Sequence, residues 1–355
     1  MGFQSVLNFA VKEFPGLNGV GSGNLRSKAI QDRKLIEILQ ILSEQNKPVG
    51  ARLIARKLSE RGYRIGERAV RYYLKMFDEL GLTRNLSYDG RLITQKGLEE
   101  LKNALASDRV GFVITRIESL IFKMDFDLKR RTGKVIANIA LLGERRLREA
   151  LEVMAEAISA GYATSPLIRI FEEGEEVAGR KVPEGKVMVA TVCSITLDGI
   201  LHRVGIPVTP LYGGIVQVLD GKPLRFTELI SYSGSTLDPL EVFSAKGLTS
   251  ILKTVKTGNG YVLANMREIP MDAAEKAERV LERAREALIG GVITIGKPNS
   301  PVLGVPVKIN RVGIALYGGI NPLVAVMEKG IPLQVKAIAS LIDIREFVDI
   351  RKLKI

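Results

Sequence analysis

Residues 47–75 read KPVGARLIARKLSERGYRIGERAVRYYLK, with nine basic side chains (Lys47, Arg52, Arg56, Lys57, Arg61, Arg64, Arg68, Arg71 and Lys75) against Glu60 and Glu67. The segment parses as a short helix, ARLIARKLSERG, ended by Gly62, then a crossing at Tyr63, Arg64 and Ile65, then a second helix, GERAVRYYLKMFDELG. Two helices across a tight turn with this charge bias suit the phosphate backbone of DNA, which supplies most sequence-independent affinity.

Working outward, residues 27–44 place Ile30, Leu35, Ile36, Ile38, Leu39, Ile41 and Leu42 on one helical face, opposite Gln31, Lys34 and Glu37. In the helix after Gly66, Val70, Tyr73, Leu74, Phe77 and Leu80 turn inward, leaving Arg68, Arg71, Tyr72 and Lys75 outside. Then LTRNLSYDGRLITQKG gives two short alternating runs about Tyr88, Asp89 and Gly90, a hairpin signal. Thr94 caps a closing helix, GLEELKNAL. Three helices and a hairpin make a winged helix-turn-helix, whose third helix enters the major groove. Arg68, Arg71 and Tyr72 are the groove candidates; Arg64, Lys75, Arg84 and Arg91 are the phosphate candidates. The alternatives are a solvated charged face on a helical bundle and a winged helix that binds protein.

The chain has 355 residues, 46% of them apolar, and a formal charge of +13, which fits a polyanionic partner and a folded chain of several domains. One cysteine, Cys193, excludes an intrachain disulfide, and a single histidine, His202, excludes the usual zinc sites, so no metal and no cofactor is expected. Residues 1–26 read as a glycine-rich mobile arm, and Lys12 and Glu13 interrupt any leader-like apolar run. No run is long and apolar enough for a membrane span, and a cytoplasmic protein is expected.

Domain boundaries fall at 27–107 for the winged helix and 109–355 for a larger domain. The larger domain carries β-rich runs (GFVITRIESLIFKMDF, KVIANIALL, PLIRIF, KVMVATVCSIT, GYVLANM, GVITI) and two long helical patterns, 144–159 and 271–288. The fold class is therefore α+β, a winged helix-turn-helix followed by a larger pseudo-duplicated α/β effector domain. Duplication is suggested by RVGIPVTPLYGGI at 203–215 and RVGIALYGGI at 311–320, within repeats of about 134–235 and 270–345.

The two Tyr-Gly-Gly motifs, Tyr212-Gly213-Gly214 and Tyr317-Gly318-Gly319, are expected as equivalent turns. Paired glycines let amides approach an anion, with Arg203 and Arg311 as countercharges, or they only permit a tight turn. Cys193, Ser194, Thr196, Asp198 and His202 form a polar cluster. Cys193 near His202 raises a nucleophile reading, an enzyme with Arg203 orienting an acidic substrate; a polar pocket or a plain buried cysteine are the other readings.

The chain resembles the archaeal nitrogen regulatory repressor NrpR family through ITQKGLEEL, RVGFVITRIESLIFKMDFD, VCSITLDGILHRVGIPV and YGGINPLVAVMEKGIP, in that order. The resemblance implies a non-enzymatic repressor that binds double-stranded operator DNA as a homodimer or with a related partner chain. It implies 2-oxoglutarate, a small dicarboxylate, as the effector. It also makes Cys193, Ser194, Thr196, His202, Arg203, Tyr212, Gly213, Gly214, Arg311, Tyr317, Gly318 and Gly319 the effector-site candidates. Well-known members carry two tandem copies of the large domain; this chain has room for one.

Overall fold

The computed structural model describes residues 25–45, 47–108 and 112–353. The expected arm lies outside these residues, apart from Leu25 and Arg26, which open the first helix. Two compact units divide the chain, 1–110 and 111–355.

In the first unit, α1 (Leu25–Ser43), α2 (Ala51–Glu60) and α3 (Glu67–Glu79) precede a hairpin of β1 (Thr83–Asn85) and β2 (Arg91–Ile93), and α4 (Gln95–Asp108) closes it. This is the expected winged helix. Ile38, Leu39 and Ile41 of α1, Ile54 and Leu58 of α2, and Val70, Leu74 and Phe77 of α3 are all buried in one core. Each such side chain contributes about 1.5–3 kcal/mol on leaving water. Arg61 bridges α1 and α2, with Nη1 2.8 Å from Glu37 and Nη2 2.6 Å from Glu44, so this member of the basic run is spent on the scaffold. Arg91 exchanges backbone hydrogen bonds with Val49, adding a bridge beside the hairpin. Gly90 is obligatory there: its φ is +107° and a Cβ would lie 2.6 Å from the Val49 carbonyl oxygen. Thr94 caps α4 as expected, its hydroxyl accepting from the Gly97 amide at 3.0 Å.

The second unit opens with α5 (Phe112–Lys123). This corrects the sequence expectation of a β-run: Val113, Ile117 and Met124 are buried at helical spacing, and that periodicity outweighs the β-branched composition. There follow β3 (Lys134–Gly143), α6 (Leu147–Ser159), β4 (Leu167–Phe171), the small hairpin β5 (Glu176–Val177) and β6 (Arg180–Lys181), β7 (Lys186–Val192) and α7 (Ile195–Arg203). Then come β8 (Thr209–Leu219), β9 (Lys222–Ser231), α8 (Pro239–Ala245), α9 (Ile251–Thr257), β10 (Gly260–Pro270) and α10 (Ala274–Glu286). The unit ends with β11 (Val292–Ile295), β12 (Arg311–Tyr317), α11 (Asn321–Glu328), β13 (Leu333–Asp343) and β14 (Val348–Asp349). A short 3-10 turn leads into both long helices, Glu144–Arg146 before α6 and Met271–Ala273 before α10.

Two antiparallel sheets have the orders β13-β3-β7-β4-β14 and β11-β12-β10-β8-β9. Read as repeats, β3-α6-β4-β7-α7-β8 corresponds to β10-α10-β11-β12-α11-β13. Each half donates its last strand to the other half's sheet, β8 beside β10 and β13 beside β3. The halves also pack through their helices, α6 on α11 and α10 on α7. The duplication is therefore present, but in a different register from the one the repeated motif suggested, and its second copy starts at β10 rather than near 270. Gly205-Ile206-Pro207 after α7 corresponds to Gly330-Ile331-Pro332 after α11; both glycines have positive φ, +82° and +83°. Arg203 ends a helix, whereas Arg311 starts a strand.

β13 carries a distortion. Between the pairs Lys336↔Ile139 and Ser340↔Ala137, three residues face Asn138 alone. Ile338, at the centre of the bulge, is buried with φ +49°, a conformation that costs a β-branched residue about 1–3 kcal/mol.

Candidate functional site

On α3, Arg68, Arg71, Tyr72 and Lys75 fall on one exposed face, as their spacing requires, and Arg64 just ahead of the helix is exposed as well. Arg71 is oriented by Glu67, one turn earlier, with Nη2 2.5 Å and Nε 3.1 Å from Oε1; Lys75 lies 4.0 Å from Glu79. Both pairs are mostly solvated, so a phosphate can exchange for the carboxylate at little cost. On the wing, Arg84 is exposed. Arg91 is placed differently: its Nε donates to Asp78 Oδ2 at 2.7 Å, with the side chain only 18% exposed. Asp78 Oδ1 also accepts from the Thr83 hydroxyl at 2.5 Å, so Arg91 and Asp78 fasten the wing to α3. Tyr88 at the wing tip is fully exposed. The sequence reading treated it only as a turn residue; a lone aromatic in a hairpin loop was the available signal.

In the second unit the polar cluster lies where the two halves meet. Cys193 and Ser194 link β7 to α7 and are buried. The thiol and His202 occupy opposite ends of α7, and His202 is exposed, so no Cys–His dyad forms. Burial pushes the Cys193 thiol up to about 12, opposite to what a nucleophile needs. The Thr196 hydroxyl donates to the Ile136 carbonyl at 3.0 Å and accepts from the Ile136 amide at 3.1 Å. In the other half, Asn321 holds Leu263 the same way, at 2.9 Å and 3.0 Å.

Two buried asparagines, one on the first strand of each half, complete the junction. Asn138 donates to the Thr191 hydroxyl at 3.2 Å, and Thr191 donates to the Gly319 carbonyl at 2.8 Å. Asn265 donates to Ser194 Oγ at 2.8 Å and accepts from Tyr232 at 2.5 Å.

Only the second glycine motif is the expected turn, closed by the Asn321 amide on the Gly318 carbonyl at 3.1 Å, and both motifs are tightly packed. Gly213 and Gly214 lie inside β8, and Gly318 and Gly319 connect β12 to α11; none has a positive φ. A Cβ on Gly319 would stand 2.4 Å from the Val192 carbonyl oxygen and 2.8 Å from Asn138 Nδ2, and one on Gly213 would stand 2.6 Å from Pro239. Tyr212 sits in β8 opposite Met266, and Tyr317 packs edge-on against Tyr162 at 5.6 Å. Arg311 begins β12 opposite Pro270. Arg203 faces a cleft of about 420 Å³ shared with Lys129, Arg131 and Arg283.

Arg267, on β10, escaped the sequence reading because one charge in GYVLANMRE looks like the outward residue of an alternating strand. It is fully buried, with Nη1 2.8 Å from Asp198 at the start of α7. The alignment is poor: neither Asp198 oxygen, nor Nε or Nη2 of Arg267, makes a hydrogen bond among the described residues. Burial raises the Asp198 carboxyl and the guanidinium opposes that shift. The corresponding positions in the other half are Ala140 and Leu323, so the charge pair exists on one side only.

No helix among the described residues is long and apolar enough to cross a membrane. Residues 110–349 match the family model of NrpR regulatory domains NRD1 and 2, and residues 36–101 match that of the ribonuclease R winged-helix domain. The chain is 43% identical over 319 residues to a global nitrogen regulator, NrpRI, of Methanosarcina mazei, covering 90% of this chain and 98% of that protein. A global nitrogen regulator NrpR of Methanococcus maripaludis is 38% identical over 309 residues, 87% of this chain but only 54% of that longer protein. The crystal structure of a nitrogen repressor-like protein from Methanococcus jannaschii superposes with a TM-score of 0.58 at 31% identity, over 67% of this chain and 98% of that one. An N-terminal winged helix joined to one duplicated regulatory domain, with a family match over most of the chain, makes this protein a member of the NrpR family of nitrogen regulators.

Proposed function

We propose that the chain is a nitrogen-responsive transcriptional repressor, acting as a dimer whose two α3 helices read half-sites about one DNA turn apart. The carrying observation is the exposed face of α3 formed by Arg68, Arg71, Tyr72 and Lys75, with exposed Arg84 and Tyr88 on the wing. Arg64, Lys75 and Arg84 contact phosphates; Arg68, Arg71 and Tyr72 reach base edges; Arg91 positions the wing. Gel-shift titration on duplex promoter DNA across salt concentrations tests this, and absence of sequence-selective binding rejects it.

The effector we assign is 2-oxoglutarate, bound at the junction of the halves through Arg267 and Ser194, with Cys193 and Thr196 beside them. A buried guanidinium with unpartnered donors gains most from a carboxylate, since those donors already carry the cost of lost hydration. Binding there would compete with Asp198 and favour an arrangement with weaker operator affinity, by the difference in effector affinity between the two states. The decisive variant combines Asp198→Leu, the residue of the other half, with Arg267→Met, which fills the arginine's space without its charge. It should fold, bind operator and ignore 2-oxoglutarate; a retained response moves the site to the Arg203 cleft.

A further inference from the structure

Helix α5 is the first element of the regulatory unit, and residues 109–111 join it to the last helix of the winged helix. Its Arg116 reaches across to β13. Nε donates to the Ile338 carbonyl at 2.7 Å and Nη2 to the Ala339 carbonyl at 2.8 Å. These are the carbonyls of the bulge. They have no strand partner because three residues of β13 face one of β3. A planar guanidinium presents two N–H donors to adjacent carbonyls in a fixed geometry, a pre-organisation that a flexible ammonium lacks.

The other side of the bulge is tied to the junction. The Ile338 amide donates to Asn138 Oδ1 at 3.1 Å, Asn138 Nδ2 donates to Thr191, and Thr191 donates to the Gly319 carbonyl. Gly319 in turn leaves no room for a Cβ against Val192 and Cys193, so the backbone bearing Ser194 and the start of α11 move together. Glu241 of α8 adds a third hold, its Oε1 accepting from the Ala337 amide at 2.6 Å. One strained residue, Ile338, with a φ that its side chain disfavours, is thus gripped from the junction on one side and from α5 on the other. Backbone held in such a conformation stores strain that a change in the bulge can release. The corresponding strand β8 passes Met266 and Arg267 with a single extra residue, Leu211, so the wide bulge belongs to one half only.

We propose that Arg116 is the positioning residue that couples the effector junction to the DNA-binding unit, through the strained Ile338 bulge. It rests on the effector reading above: a ligand that shifts the Thr191, Asn138 and Gly319 group alters the bulge, and the bulge carbonyls set where Arg116 holds α5. Arg116 touches neither DNA nor effector. Its role is to make one event felt by the other.

Two measurements on the full chain separate this from the effector reading. The first is amide hydrogen exchange over 112–123 without effector, in wild type, Arg116→Ala and Thr191→Val, the last nearly isosteric and at the far end of the chain of bonds. Faster exchange of α5 in both variants is expected; unchanged α5 exchange in Thr191→Val overturns the relay whatever the effector proves to be. The second is operator affinity with and without saturating 2-oxoglutarate, alongside calorimetric 2-oxoglutarate binding. Wild type should show a change of about 5- to 150-fold, the ordinary span of allosteric coupling. Arg116→Ala should bind 2-oxoglutarate as wild type does and lose most of that change, and Ile338→Gly, which removes the strain and spares Arg116, should reduce it. A full response in Arg116→Ala overturns the relay; a wild type that neither binds nor responds to 2-oxoglutarate overturns the effector assignment and leaves the exchange result to decide the relay.

Discussion

Two arginine–carboxylate pairs of similar length serve opposite ends in this protein. Arg71–Glu67 on α3 spans 2.5 Å with the arginine side chain 71% exposed, and Arg267–Asp198 spans 2.8 Å with both side chains fully buried. The first is screened by water and salt, contributes little to stability and can be exchanged for a phosphate. The second has surrendered its hydration and depends on its partner. Nearly the same contact is thus a loose surface arrangement in one unit and an obligation in the other, where it occurs in only one of the two repeated halves.

The largest effect expected from this contrast is for Asp198→Leu alone, which strands a buried guanidinium and should cost about 3–5 kcal/mol in denaturant unfolding. Adding Arg267→Met should restore most of that loss, because replacing a buried pair by apolar side chains of similar volume is often neutral or better. A double variant as unstable as the single one would show that the pair contributes more than mutual compensation.

A buried carboxylate without a guanidinium sharpens the point. Asp238 caps α8, accepting from the Leu240 and Glu241 amides, and burial together with Glu241 pushes it up to about 7 from an ordinary value of 3.8. A carboxyl raised on folding holds its proton more tightly in the folded chain. The stability this provides is full below about pH 4 and is lost as pH rises through about 7. The loss is of the order of 4 kcal/mol at 1.36 kcal/mol per unit, and Asp238→Asn should flatten the pH dependence of unfolding in that window.

On the exposed side the effects are smaller and concern binding. Arg71→Ala should cost about 1–3 kcal/mol of operator affinity and relax selectivity at one base position, whereas Lys75→Ala should weaken all sequences alike and reduce the salt slope by about 1. Identical, salt-only losses from both would place α3 on the backbone rather than in the groove. Smallest of all, Glu67→Gln should change thermal stability by only about 0.2–0.5 kcal/mol, the usual worth of a helical i,i+4 pair.

The winged helix was legible because its information is local: apolar spacing in α1 to α3, Gly62 at a helix end, Asp-Gly before β2. The two long helices were legible for the same reason, each merely preceded by an unforeseen 3-10 turn. What failed depended on distant partners. The run after Gly111 is rich in β-branched residues, which masked the helical spacing of Val113, Ile117 and Met124 that packing against the rest of the unit makes decisive. RVGI and YGGI recur in sequence, yet in the structure they are not equivalents: Arg203 closes a helix, Arg311 opens a strand, and the true correspondence is the shorter Gly-Ile-Pro. Arg267 gave no sign of being buried, because its partner lies far away in sequence at Asp198 and the pairing exists only once β10 lies against α7.

The matching clamps of Thr196 on Ile136 and Asn321 on Leu263 carry a practical consequence. Each ties up both peptide groups of one residue on the first strand of a half, and neither clamp crosses between halves. The Ile136 and Leu263 amides are therefore a built-in pair of deuterium clocks, one per copy of the ancestral duplication. Labelled side by side, they would time the loosening of each copy separately within a single molecule.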